Sequence, residues 1–287
     1  MSQTEVQLIK ADAVQTVDIA NSAVTDAKIS ALTSSKLSGA LPAISGASLT
    51  NLPASGKAHN LVINGAMQVA QYGLSSDEDG YNTCDRFRYD KSGTDNNPTQ
   101  AQVDVASGTT PYTLGFRKAF KLTNGNQSSG AGANDLIAIK TRLEAQDIAN
   151  SGWNYTSTSS YITLSFWVKS SVAQNFYGYI RSYDGTSYLY PFETGSLSAN
   201  TWTKVTKTIP GNSNLQFDND ANLGLEIDII QFYGTTYTDP GVSLNTWQTV
   251  SNYTPNNTST WYTTNDATFE LTGVQLEVGD SATDFEH

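Results

Sequence analysis

Apolar and polar residues alternate in short runs along most of this chain. In residues 268–287, TFELTGVQLEVGDSATDFEH, Phe269 and Leu271 share one face of a strand, and Val274, Leu276 and Val278 resume the alternation one residue out of phase across Gly273. A period of two with one inserted residue predicts a bulged antiparallel strand, half buried, with Glu270, Gln275 and Glu277 on its solvent side. Similar runs at residues 87–89, 116–122, 161–169, 176–181, 203–209 and 223–233 predict further strands, punctuated by Gly, Asn, Ser and Asp. Residues 60–73, NLVINGAMQVAQYG, read as a hairpin turning at Asn64 and Gly65. Only DLIAIKTRLEAQDIAN, residues 135–150, leaves room for a helix, and its part 144–149 suits a short helical turn. Strands at this frequency predict an all-β fold, a jelly-roll β-sandwich over residues 58–287.

Residues 1–57 follow another pattern. They contain no Trp, Tyr, Phe or Cys, and Ile19, Val24, Ile29, Leu32 and Leu37 recur at steps of 5, 5, 3 and 5. VTDAKI at 24–29 returns as LTSSKL at 32–37. This spacing fits neither a coiled-coil seam nor a long strand. Repeats that cannot cover their own apolar face become stable by stacking or association, so the segment predicts an extended stalk in an oligomer. A disordered Ala/Ser/Thr linker is the alternative.

Composition narrows the function. The 27 acidic residues exceed the 16 basic ones, giving a formal charge of −11, which argues against nucleic acid as a partner. No run approaches 18 apolar residues, and MSQTEVQLIK lacks the features of a secretory leader, so neither membrane insertion nor export by that route is expected. Cys84 is alone and reads as a small buried hydrophobe, without a disulfide or multi-cysteine metal site. Asp218, Asp220 and Asn222 begin like a calcium loop, but Leu223 and Ile229 occupy positions that need glycine and a carboxylate. No cofactor or metal is expected.

Histidine is scarce, only His59 and His287, so a Ser-His-Asp or Cys-His centre has almost no material. GxSxG, HExxH and phosphate-binding glycine loops are missing too. The acidic residues sit mostly in turns and nominate no catalytic pair, so the expectation is a protein that is not an enzyme. Aromatic residues carry more information. Phe166 and Trp167 must face opposite ways on their strand, and Trp202 belongs at a sheet edge. Trp153, Tyr155, Tyr237, Trp247, Tyr253, Trp261 and Tyr262 fall instead in polar loops, where an aromatic face beside polar groups suits a sugar ring. The same residues alternatively cover the sheet ends or fill a subunit interface.

Several phrases carry a family resemblance. TGVQLEVG followed by DFEH at the end, NLVINGAMQVAQYG and YNTCDRF at 60–87, ITLSFWVKSS at 162–171 and NTWTKVTKTIPG at 200–211 together resemble the β-sandwich domains near the tips of tailed-phage fibres, particularly of phages of aquatic bacteria. SKLSGALPAISGASLTNLP, at 35–53, resembles linker repeats of phage fibre shafts. Two departures are Tyr72, where the family pattern has Arg, and the end at His287, where the family often continues.

The resemblance implies a homotrimeric tail fibre in the virion, made in the host cytoplasm. Residues 1–57 would be its virion-anchoring shaft, contacting other virion proteins, and the sandwich would hold host-surface carbohydrate without catalysis. A structural appendage of the capsid and a polysaccharide-cleaving spike are the alternatives. The overall acidity favours a neutral glycan, or an anionic one bridged by cations.

Overall fold

The computed structural model describes residues 59–287. The expected stalk, with its repeats, lies outside them. Twelve strands occur among the described residues: β1 (Ser75–Ser76), β2 (Phe87–Ser92), β3 (Thr99–Asp104), β4 (Lys118–Thr123), β5 (Leu136–Glu144), β6 (Tyr161–Ser170), β7 (Asn175–Ser182), β8 (Tyr188–Ser196), β9 (Thr203–Pro210), β10 (Leu223–Tyr233), β11 (Gln248–Thr249) and β12 (Thr268–Val278). Three short helices join them, α1 (Thr110–Thr113), α2 (Ala145–Ala149) and α3 (Thr260–Thr263). The strands form two six-stranded antiparallel sheets, ordered β1-β3-β4-β12-β6-β9 and β11-β8-β7-β10-β5-β2. The fold is therefore an all-β sandwich.

Alternation drives the two layers together. Leu225, Ile227 and Ile229 of β10, Ile137 and Ile139 of β5, and Phe166, Phe269 and Leu271 of the facing sheet are all buried in one core. Aromatic pairs bridge the layers, Phe176 against Phe269 at 5.0 Å and Phe166 against Phe192 at 6.2 Å between ring centroids. Each such side chain stabilises the fold by roughly 1.5–3 kcal/mol through burial, and an edge-to-face pair adds about 0.5–1.5 kcal/mol. Phe166 lies in this core and Trp167 packs on the opposite face of its sheet, as alternation requires. Cys84 is buried, which pushes its thiol up to about 12 and keeps it protonated.

The bulge in β12 is present, with the register slipping between Thr272 and Gln275 and Gly273 at φ +63°. Its expected solvent side needs correcting. Gln275 and Glu277 are 1% and 0% exposed, because the chain turns back over them after β12. Thr283 donates to both Glu277 oxygens, through its N–H at 2.9 Å and its hydroxyl at 2.6 Å, and the Glu286 N–H donates to Gln275 Oε1 at 2.9 Å. Phe285 then packs on Phe116 at 4.9 Å.

The expected hairpin at 60–73 is not formed. Asn64 and Met67 take left-handed backbone angles, and the Asn64 side chain donates to the carbonyls of Val69 and Asp85 in place of a partner strand. Residues 135–150 divide into a strand, β5, and the short helix α2, so the helical turn stands where it was expected and the first half is extended.

Candidate functional site

Strand register on the outer face of the second sheet builds an unusual surface. Counting across β2, β5, β10 and β7, one row reads Arg88, Lys140, Asp228, Tyr179. The row beside it reads Arg142, Glu226, Arg181. On the other side stand Asp90, Ala138, Ile230 and Tyr177. The local sequences explain the placement: LGLEIDII in β10 and IAIKTRL in β5 interrupt apolar runs with a charge at every second position. Period two sends all of those charges to one face.

The charges neutralise one another. The Lys140 ammonium lies 3.3 Å from Asp90, 3.2 Å from Asp228 and 3.9 Å from Glu226. Arg142 Nε donates to Glu226 at 2.6 Å, Tyr183 Oη donates to the other oxygen of Glu226 at 2.8 Å, and Tyr233 Oη donates to Asp228 at 3.1 Å. Arg88 is tied to Asp90 at 2.6 Å.

Glu226 and Asp228 have side chains only 1% and 0% exposed. Burial pushes the Asp228 carboxyl up to about 7, with Lys140 pulling the other way and Glu226 adding to the rise. Burial also disfavours the Lys140 ammonium, but Asp228, Glu226 and Asp90 outweigh it and hold its pKa above the ordinary lysine value. The Tyr183 hydroxyl is raised by burial and by the adjacent Glu226 charge, so it stays a proton donor.

Around this network runs an accessible rim of aromatic and guanidinium groups. Arg88 lies over the exposed Tyr81 ring at 5.4 Å, and Arg181 over the Tyr183 ring at 4.5 Å. Arg142, with 39% of its side chain exposed, reaches the surface from the Glu226 pair. A groove of about 470 Å³ opens here, lined by Tyr72, Tyr81, Asp85, Arg86, residues 142–144 and residues 221–223. Tyr72 is 74% exposed. The surface thus offers apolar ring faces beside donors and acceptors whose positions the buried network fixes.

The seven aromatic residues expected to bind sugar are dispersed. Trp153, Trp261 and Tyr262 are 3%, 0% and 1% exposed, a correction to their reading as exposed loop residues. Each buries its ring and satisfies its polar atom internally: Trp153 donates to the Ser160 carbonyl at 3.3 Å, Trp261 to the Thr268 carbonyl at 3.0 Å and Tyr262 to Asp135 at 2.9 Å. Tyr155 is half-buried, edge-on to Phe217 at 5.0 Å. Trp247 donates to the Pro210 carbonyl at 2.7 Å beside Tyr190. Tyr237 and Tyr253 alone come together near the network. Tyr253 stacks on Tyr179 at 5.3 Å, and Tyr237 packs on Tyr233 at 5.5 Å, extending an aromatic wall along the same outer face.

No family model matches the chain. No curated protein matches it either. Among solved structures, the enzymatically active domain of tailspike protein 4 from bacteriophage CBA120 is similar at 11% identity and a TM-score of 0.40, covering 77% of this chain and 21% of that one. This chain therefore spans about a fifth of the tailspike structure. A putative sugar binding protein from Bacteroides thetaiotaomicron is 11% identical with a TM-score of 0.39, covering 77% and 100% of the two chains. The N-terminal cellulose-binding domain of Cellulomonas fimi β-1,4-glucanase C is 10% identical with a TM-score of 0.34, covering 75% and 99%.

The residues that build the outer face were not singled out from the sequence. Their signal was the alternation of Glu226 and Asp228, and of Lys140 and Arg142, inside otherwise apolar strands. Charges at alternate positions opposite one another across a ladder mark a polar face whose central charges, Lys140, Arg142, Glu226 and Asp228, are paired.

Proposed function

We propose that this protein is a homotrimeric tailed-phage fibre that holds host-surface glycan, without catalysis, on the outer face of the second sheet. The observation that carries the binding reading is the rim of Tyr81 and Tyr183, each ring next to a guanidinium and close to the fixed Glu226 network. Such a rim meets the apolar face of a sugar ring and its hydroxyls together. The jelly-roll sandwich supplies the site, and three copies on one particle raise the effective concentration enough for weak sites to hold a virion. Support for the virion assignment is the ordered set of fibre-like phrases, with residues 1–57 as the shaft that meets other virion proteins.

One observation favours a second reading, cleavage of a polysaccharide. Glu226 and Asp228 stand two residues apart on one face, and burial raises the Asp228 carboxyl to about 7, as a general acid needs. Both carboxylates are buried and held by Lys140, Arg142, Tyr183 and Tyr233, which supports a structural role for the pair. An array of bacterial surface glycans, followed by a reducing-sugar assay on each glycan bound, separates the readings. Binding without sugar release is expected. Sugar release would establish the spike, and an array without binding would favour a purely structural virion appendage.

A further inference from the structure

Arginine is rare in this chain, at five residues, and four of the five gather at one place. Arg88, Arg142 and Arg181 stand on the outer face of the second sheet, and Arg86 lines the groove beside Arg142. Two of the four are committed, Arg88 to Asp90 and Arg142 to Glu226. Arg86 and Arg181 make no ion pair among the described residues. Arg86 is exposed, and Arg181 Nε is sealed from solvent without a hydrogen-bond partner. A chain of net charge −11 thus places on this face two guanidinium groups without an ion pair, Arg86 just before β2 and Arg181 on β7, although Asp85 and Glu144 also line the groove at Arg86. From β2 across β5 and β10 to β7 is roughly 14 Å at the usual strand spacing.

Guanidinium groups recognise oxyanions through paired, charge-assisted hydrogen bonds, and an unpaired one held against an aromatic ring has little of its ordering left to lose on binding. We infer that the glycan held on this face is acidic, its carboxylate, sulfate or phosphate groups met by Arg86 and Arg181 and its ring faces by Tyr81 and Tyr183. The inference rests on the glycan-binding reading above and names its ligand class. It departs from the neutral or cation-bridged glycan that the overall charge favours, because the charge of the whole chain is not the charge of this face. Carboxylate, sulfate and phosphate present the same oxyanion chemistry, so the choice among them falls to the ligand panel.

The test uses the full-length protein on an array holding neutral, uronate-bearing, sulfated and phosphorylated glycans, with affinities then measured for the glycans bound. For a uronate ligand, its carboxyl-reduced form is the neutral control; for the esters, the desulfated or dephosphorylated form. Binding confined to acidic glycans is expected, with about a tenfold or greater loss on neutralising the ligand, in line with the strength of hydrogen bonds to charged groups. Arg86→Gln and Arg181→Gln should each give a similar loss while the midpoint of thermal unfolding stays put, and binding should weaken as salt rises.

Arg181→Lys keeps the charge without the planar fork and should recover only part of the affinity. Equal binding to the acidic and neutralised forms, or full affinity in both Gln variants, overturns the inference and leaves the glycan-binding reading standing. An array on which neither neutral nor acidic glycans bind overturns both.

Discussion

Lys140 and Asp228 meet in the middle of a sheet whose inward positions are apolar and whose outward face surrounds them with Asp90, Glu226 and aromatic rings. An ion pair so placed gains less than its Coulomb attraction, since both ions leave water, and the carboxyl raised to about 7 records that cost. The sign of its effect on stability follows. Between the ordinary aspartate value near 4 and about 7, the folded protein binds more protons at Asp228 than the unfolded chain does, so this group makes stability fall as pH rises through that window. Urea denaturation at pH 4 to 8 should therefore show a downward component that Asp228→Asn removes. An unchanged slope in the variant would mean that Asp228 titrates normally. At this scale the sequence was only partly legible: it displayed the alternating charges, but not that Lys140 of β5 and Tyr183 after β7 converge on Glu226 and Asp228 together with Tyr233 of their own strand. Nor did loop composition reveal which aromatics are exposed. Trp153 and Trp261 sit among polar neighbours in sequence, yet each finds a carbonyl for its indole N–H and closes over the core.

Strands were the most legible elements. β6, β7, β9, β10 and β12 match their expected runs closely because each carries a sustained alternation or a dense apolar stretch. β3, TQAQVD, and β8, YLYPFETGS, were missed, the first for lack of large apolar residues and the second for its proline and glycine. The hairpin at 60–73 failed because Asn64 caps a local turn with its own side chain, a competition between side chain and ladder that turn composition alone does not decide.

Gly273 shows the reverse, a single residue whose role was readable. It sits at φ +63°, and an added Cβ would lie 2.7 Å from the Phe116 ring. Gly273→Ala should cost about 1–3 kcal/mol from the backbone alone, with more from displacement of Phe116 and the packed C-terminal residues. Thermal unfolding of the variant checks this, and an unchanged midpoint would show that the bulge relaxes freely.

For the molecule as a whole, association and binding are linked claims. The aromatic-free repeats predict association and the fibre resemblance implies three chains, so light scattering should give three times the 30.9 kDa chain mass, and removal of residues 1–57 should weaken the assembly. A mass of one chain would contradict it. The sandwich architecture was readable from strand frequency, but the face proposed to hold glycan was not, because a sandwich has two outer faces and several loop ends with similar composition. Strand register brought that face into view, by lining up Arg142, Glu226 and Arg181 near Tyr183 and Tyr81. The claim that this face holds glycan is tested most directly by hydrogen–deuterium exchange of the full-length protein with and without the glycan selected on the array. Slower exchange at residues 81–88, 142–144 and 181–185 on binding is the predicted result. Unchanged exchange there, with protection instead around Tyr155 and Trp247, would contradict it.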